Sequence, residues 1–251
     1  MLALTRVPRR ALHMAPALRA AQSVLGADPD VYSYAAQHSE AEPPALQRIR
    51  LAAQAEDPAE AQKMISPHQG AFMASLVRAQ RPRAVLELGC YVGYSALWLA
   101  HGLDRASGAR LWTCERDSRA AEKAQANIAS AGFADTISVL AQPAASVLES
   151  WDPATKLDLI FIDANKSAYQ QYYDLVMDRG ILHDDGQIIV DNVLFRGKVH
   201  TAQQPAGTSD RQFRLAAKIR AFNEHVASDL RTSQVILPVF DGLLLIQKSR
   251  P

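Results

Sequence analysis

The chain has little cysteine, no excess of charge of either sign and no long apolar run. Its only two cysteines among 251 residues, Cys90 and Cys114, each lie in or beside a short apolar run. Two cysteines make no disulfide framework, so we expect buried, reduced thiols in a reducing compartment. The formal net charge of +1 gives no electrostatic reason to expect nucleic acid as a partner. No apolar stretch reaches the roughly 18 residues of a membrane span.

The first 27 residues also lack acids. They contain Arg6, Arg9, Arg10 and Arg19, and the first acidic residue is Asp28. An Arg-rich, acid-poor start is typical of an organelle transit peptide, whereas its low serine content is equally consistent with a basic extension of a cytosolic protein. We therefore expect a cytoplasmic protein, or a mitochondrial one if residues 1–27 are a transit peptide. Residues 28–251 are expected to form a single domain that begins with helices.

The apolar pattern predicts three helices followed by an α/β sheet. Residues 45–55 form the first helix, and the pairs Asp57-Pro58 and Ser66-Pro67 start the next two. Short Val/Ile/Leu runs then alternate with helical stretches, which indicates a parallel sheet covered on both faces. The runs are at 84–88, 109–114, 136–140, 157–162 and 187–190, and the helices at 95–103, 118–131, 144–151 and 168–178.

The last two apolar runs, 233–239 and 243–248, flank an Asp-Gly pair at 241–242, which is typical of a β-hairpin. The sequence therefore predicts a Rossmann-like, doubly wound sheet of seven strands, mostly parallel and ending in an antiparallel hairpin.

The loop after the first strand is a candidate cofactor site. An acid, Glu87, precedes two glycines, Gly89 and Gly93, and ligands of doubly wound sheets bind near this first βα turn. The GxxxG spacing favours a methyltransferase over the GxGxxG of dinucleotide-binding proteins, but the loop is a weak signal. Glu115, just past the second strand, is placed to bind ribose hydroxyls, as an acid also does in NAD enzymes. Ala144, after the third strand, would border the adenine.

Polar residues follow the fourth and fifth strands. Asp163 ends one strand, and Asp191 and Asn192 end its neighbour, so their oxygen atoms should meet at one sheet edge. A hard divalent cation such as Mg²⁺ prefers such ligands and keeps positions open for substrate. A metal that binds two adjacent hydroxyls of a phenol lowers their pKa. Lys166, three residues after Asp163, is then placed to act as general base.

Four segments, ELGCYVGYS, DANKSAYQQYY, VDNVLFRGKV and LPVFDGLLL, resemble motifs of the cation-dependent O-methyltransferases, which include catechol and caffeoyl-CoA O-methyltransferases. The resemblance covers roughly residues 64–248. It implies S-adenosylmethionine as cofactor, a divalent metal on Asp163, Asp191 and Asn192, and catalysis by Lys166 with Asp163. It also implies a phenolic small-molecule acceptor and a homodimer. The cofactor contacts that it implies are Ile65, Glu87, Gly89, Tyr91, Gly93, Ser95, Glu115, Ala144 and Asp163.

The chain departs from that family in the segment 63–70 and again in 201–210, so the acceptor's identity does not transfer. Phe195 and Arg196 are candidates for the acceptor pocket, whereas Asp241 reads as a turn residue. Two alternatives stay open. One is an NAD(P)-dependent oxidoreductase, supported by the fold and Glu115 alone, and the other is a non-catalytic methyltransferase homologue.

Overall fold

The sheet expected from the apolar runs is present in the computed structural model, which describes residues 29–201, 203, 204 and 207–249. Its strand order is β3-β2-β1-β4-β5-β7-β6. Strands β1 to β5 run parallel, and β7 is antiparallel to both β5 and β6, so the predicted fold class is confirmed. The strands are β1 Ala84–Leu88, β2 Arg110–Cys114, β3 Ile137–Leu140, β4 Leu157–Ile162, β5 Leu182–Val190, β6 Thr232–Leu237 and β7 Leu243–Lys248.

Helices cover both faces of this sheet and precede it along the chain. Every helix predicted from the sequence is present, with bounds that agree to within about two residues. The helices are α1 Pro29–Gln37, α2 Pro44–Glu56, α3 Pro58–Ala61, α4 Pro67–Gln80, α5 Tyr94–Gly102, α6 Ser118–Ser130, α7 Ala144–Ser150, α8 Tyr169–Asp178 and α9 Asp210–Ser228. The predicted basic segment 1–27 lies outside the described residues.

One long helix, α9, was not predicted. Its buried residues, Ala216, Ile219, Phe222 and Val226, recur at spacings of three and four, which is the pattern of one buried helical face. The many charged residues between them lower the apparent apolarity of the segment. The periodicity was therefore a usable signal, and α9 packs against α8 on one face of the sheet.

Strand β5 also begins five residues earlier than predicted. Its first half, from Leu182 to Gly186, contains His183, Asp184 and Asp185, which are exposed, so it lacks the apolar run that marks its second half. The hairpin is confirmed, but β7 lies between β5 and β6. Strand β6 is consequently the edge of the sheet.

The starts of the N-terminal helices were read correctly from their capping residues. The Asp57 carboxylate accepts hydrogen bonds from the backbone N–H groups of Ala59 and Glu60, and the Ser66 hydroxyl accepts one from that of Gln69. Helix α4 packs closely on α5 because Gly70 faces Trp98. A Cβ atom at position 70 would lie 2.3 Å from the indole nitrogen of Trp98, so glycine allows α4 to lie directly against α5.

Two apolar layers hold the helices on the sheet, one on each face. Neighbouring residues of a strand point to opposite layers, as Val85 and Leu86 do. Both cysteines are buried and free, as predicted. Among the described residues, no helix is long and apolar enough to cross a membrane.

Candidate active site

A cavity of about 1520 Å³ lies at the carboxyl ends of β1 and β4, where the winding of the sheet reverses direction. It collects residues from the N-terminal helices, the β1–α5 loop and the loops after β2, β3, β4, β5 and β6. Most of the predicted site residues line it, namely Ile65, Gly89, Tyr91, Ser95, Glu115, Ala144, Asp163, Lys166, Asp191 and Asn192.

The β1–α5 loop is shaped by its glycines and by the neighbouring strand. Gly89 has φ +101°, and a Cβ atom there would lie 2.3 Å from the backbone oxygen of Asp163. The loop after β1 therefore rests directly on the backbone that carries the first acid of the metal candidate. Close approach of this kind is available only to glycine, which explains the residue type at position 89.

Glu115 holds the same loop from the other side. Its Oε2 accepts a hydrogen bond from the Tyr91 backbone N–H at 2.8 Å, and its Oε1 accepts one from the Asp117 N–H at 3.0 Å. A carboxylate offers about four acceptor positions, so these two bonds leave capacity for further donors. Because Glu115 also lines the cavity, that capacity is available to hydroxyl groups of a ligand.

Two predicted cofactor residues, Glu87 and Gly93, do not line the cavity. Glu87 is fully buried, accepts a hydrogen bond from the Thr113 hydroxyl, and has no partner for Oε1 among the described residues. Burial raises the pKa of Glu87 from 4.5 to about 8, against the opposing effect of the Ser95 and Thr113 hydroxyls. Gly93 has φ +83° and is the N-cap of α5. Both residues are therefore expected to support the shape of the β1–α5 loop without contacting a ligand in the cavity.

The three predicted metal ligands are brought to the same cavity by β4 and β5. Asp191 is 2% exposed, and its two oxygens accept hydrogen bonds from Gln69 Nε2 at 2.9 Å and from the Asn192 backbone N–H at 2.7 Å. Asp163 accepts one from Lys166 Nζ at 3.3 Å. Burial raises the pKa of both aspartates, and the negative charge of Asp163 raises that of Asp191 further.

This donor set fits a divalent cation. A cation bound between a buried and a partly buried carboxylate, Asp191 and Asp163, offsets the repulsion between their charges. Carboxylate and amide oxygens also suit a hard metal ion. Among the described residues, no three His, Cys, Asp or Glu side chains form a metal-binding group. The amide of Asn192, which lines the same cavity, could supply a third protein oxygen.

Asp241, which reads as a turn residue in the sequence, belongs to this site. Its carboxylate accepts hydrogen bonds from Asn192 Nδ2 at 3.2 Å and from the Arg196 backbone N–H at 2.5 Å. Its backbone oxygen accepts another from the Leu194 N–H at 3.0 Å. The turn after β6 therefore holds the loop after β5, and Asp241 also lines the cavity.

Aromatic and basic residues also line the cavity. Phe195 and Arg196 line it, as expected, together with Phe240 and Tyr32. The Tyr32 hydroxyl lies 3.1 Å from Ser66 Oγ, which ties helix α1 to the start of α4. Tyr32, Gln69 and Phe240 were missed as site residues because no local pattern distinguishes them from packing residues.

Comparison with known proteins shows the family of the chain. The O-methyltransferase family model matches residues 36–249. The chain is 35% identical to catechol O-methyltransferase of Niastella koreensis over 187 residues, which cover 72% of this chain and 80% of the relative. It is 30% identical to probable caffeoyl-CoA O-methyltransferase 2 of Dictyostelium discoideum over 183 residues, which cover 72% and 75%.

Among solved structures, the SAH-bound methyltransferase PaMTH1 of Podospora anserina superposes with a TM-score of 0.81 at 30% identity, covering 88% of this chain and 94% of that one. These matches support methyl transfer and leave the oxidoreductase alternative without support. The protein thus belongs to the O-methyltransferase family, as an S-adenosylmethionine-dependent enzyme of the catechol and caffeoyl-CoA type.

Proposed function

We propose that this enzyme uses a divalent cation, with Mg²⁺ as the first candidate, to methylate one of two adjacent hydroxyl groups on a phenolic small molecule. The observation that carries the proposal is the pair of Asp191, which is buried, and Asp163, which is partly buried; both line the cavity together with Asn192 and Lys166. The catechol and caffeoyl-CoA enzymes among its relatives favour an acceptor of that kind.

S-adenosylmethionine would bind along the β1–α5 loop. We assign its contacts to the cavity-lining residues Ile65, Gly89, Tyr91, Ser95, Glu115, Ala144 and Asp163. Glu115 would accept hydrogen bonds from the ribose hydroxyls through the positions left open by Tyr91 and Asp117. Glu87 and Gly93 would act indirectly, by fixing the shape of the loop. The Podospora anserina relative carries bound SAH, which supports the cofactor class.

The metal would be held by Asp163, Asp191 and Asn192. When bound, a divalent cation lowers the pKa of coordinated hydroxyl groups and fixes their orientation. Lys166 Nζ lies 3.3 Å from Asp163 Oδ1, so this lysine is held at the edge of the ligand set. We assign to it the role of accepting the hydroxyl proton at Nζ. Asp163 thus serves both as a ligand and as the residue that positions the base.

The remaining contribution of the chain is positioning. An acceptor oxygen must approach the sulfonium methyl group in line, and holding two reactants in that geometry removes a large part of the barrier. Phe195, Phe240 and Tyr32 offer aromatic surface to a phenolic ring, and Arg196 offers positive charge to an acidic tail of the acceptor. The cavity of about 1520 Å³ exceeds the ~300–1,000 Å³ of a typical single-ligand pocket, which leaves room for cofactor and acceptor together.

The test is methyl transfer from labelled S-adenosylmethionine to a panel of catechol and caffeoyl acceptors, with Mg²⁺ and then with EDTA. We expect activity that EDTA removes and Mg²⁺ restores. We also expect Asp163→Ala to abolish turnover, and Lys166→Ala to lower mainly kcat. Full turnover in EDTA would refute the role of the metal. Retained SAH binding with no transfer to any acceptor would favour a non-catalytic homologue.

We further propose that the protein is a homodimer and that residues 28–251 form a single domain in each subunit. We expect a reducing compartment, which is the cytoplasm, or the mitochondrion if residues 1–27 are a transit peptide. The edge strand β6 supports association, because Val235 and Ile236 within it are 50% and 37% exposed, and Val239 just after it is 40% exposed. Sedimentation of the wild type and of Val235→Lys tests this. A wild-type monomer would refute the dimer.

A further inference from the structure

Asp241 contacts the loop after β5 at three points. Its Oδ2 accepts a hydrogen bond from Asn192 Nδ2, its Oδ1 accepts one from the Arg196 N–H, and its backbone oxygen accepts one from the Leu194 N–H. The loop needs such support, because Asn192, Phe195 and Arg196 all have positive φ, at 59°, 42° and 55°. Non-glycine residues adopt this conformation only where surrounding contacts hold them there.

The contact to Asn192 has a chemical consequence beyond holding the loop. An amide group has a donor end and an acceptor end of nearly the same size, so packing alone does not fix which end points where. An ionised carboxylate can only accept hydrogen bonds. Asp241 therefore selects the Nδ2 end of Asn192, and the Oδ1 atom is the end left for a cation.

We infer that Asp241 is a positioning residue that orients the Asn192 amide so that its oxygen, and not its nitrogen, is offered to the metal. This inference rests on the proposed metal dependence. Residues that orient a metal ligand typically contribute ten- to a hundredfold to metal affinity. Asp241 would thus act through Asn192, without a contact to the metal of its own.

Asp241→Asn tests the inference with almost no change in shape. The new side chain can still accept from the Arg196 N–H, but its own NH₂ group then faces Asn192 Nδ2. Two donors cannot bond to each other, so the Asn192 amide should turn over and direct its nitrogen toward the metal position. We expect Mn²⁺ binding by the SAH-loaded, full-length protein, measured by electron paramagnetic resonance, to weaken by ~10- to 100-fold.

The same substitution also removes a negative charge, and a second background separates the two effects. In Asn192→Asp, the side chain at position 192 has two equivalent oxygens and cannot be misoriented. Asp241→Asn should therefore weaken Mn²⁺ binding by no more than about threefold in the Asn192→Asp background, although the charge removed is the same. The carboxylate introduced at position 192 also repels Asp241, so the cycle is read beside Asp241→Ala, which removes the same charge but places no donor against Asn192. A larger loss of Mn²⁺ affinity in Asp241→Asn than in Asp241→Ala indicates orientation, and equal losses in these two variants would overturn the inference.

Two controls accompany this cycle. Asp184→Asn removes a carboxylate that is exposed on β5 and paired with Lys248, so it should leave Mn²⁺ binding unchanged. The SAH affinity of each variant, measured by calorimetry, should match that of the wild type if the cofactor loop is intact.

Equal losses in the two backgrounds, or no loss in the wild-type background, would overturn the inference while leaving the metal-dependent reaction in place. Asp191→Ala should bind no Mn²⁺. If the wild-type protein also bound none, the proposed metal dependence and this inference would both be overturned.

Discussion

Replacing Gly89 by alanine should damage both the stability of the protein and its cofactor site. The residue has φ +101°, and an added Cβ would lie 2.3 Å from the backbone oxygen and 2.9 Å from the carbonyl carbon of Asp163. A strained backbone conformation costs about 1–3 kcal/mol. An added carbon in a packed site costs about 1–3 kcal/mol, and here the neighbour is backbone that cannot rotate away. The combined loss is then about 2–6 kcal/mol, a large part of the total stability of a domain.

The assay is urea unfolding of Gly89→Ala together with calorimetric titration by SAH. We expect the stability loss above and a clear weakening of SAH binding, because relief of the contact must shift either the β1–α5 loop or the backbone of Asp163. Gly108→Ala is the matched control, since Gly108 has φ +75° and nothing within 4 Å of the added atom. It should show the conformational cost alone and bind SAH normally.

The reasoning would be refuted if Gly89→Ala lost no more stability than Gly108→Ala and also bound SAH with wild-type affinity. In that case the approach of the loop to Asp163 would be tolerant of a side chain, and the identity of residue 89 would need a different explanation.

Three further predictions follow from buried polar groups. Gln69→Leu removes the donor to Asp191 Oδ2, so Mn²⁺ affinity should fall by ~10- to 100-fold with SAH affinity unchanged; an unchanged metal affinity would contradict it. The pKa of Glu87 is about 8 in the folded protein and near 4.5 in the unfolded chain, so the ligand-free protein should lose stability as the pH rises between these values. Urea unfolding at pH 5 and at pH 8 should show a smaller loss of stability in Glu87→Gln than in the wild type. Arg50→Met leaves the partly buried Glu42 carboxylate without its ion-pair partner and should cost about 1–3 kcal/mol, part of which Glu42→Gln restores in the double variant; equal stability of the single and double variants would contradict it.

Much of the fold could be predicted because its signals are local. Parallel strands buried on both faces are continuous apolar runs, and the caps of the N-terminal helices are single residues such as Asp57 and Ser66. The candidate metal ligands were found for the same reason, since Asp163 and Asp191 directly follow such runs. The first half of β5 was missed because its exposed His183 and Asp184 do not continue the run.

The supporting residues of the site could not be predicted, because each acts across a long stretch of sequence. Gln69 donates to Asp191 from a helix that is 122 residues away along the chain. Tyr32 reaches Ser66 from α1 across 34 residues. Neither residue stands at a strand end or in a motif, and glutamine and tyrosine at helix starts are usually ordinary surface or packing residues.

The position of Asp241 shows how such a residue becomes part of the site. The strand order places β7 next to β5, and Val190 is paired with Leu244. Continuing this antiparallel register by two residues sets Asn192 opposite Gly242, and the bond from the Val193 N–H to the Gly242 oxygen at 3.1 Å agrees with that. The residue before Gly242 therefore lies beside the Asn192 amide. An Asp-Gly pair predicts a turn, but only the pairing of β5 with β7 makes its aspartate a partner of a metal ligand.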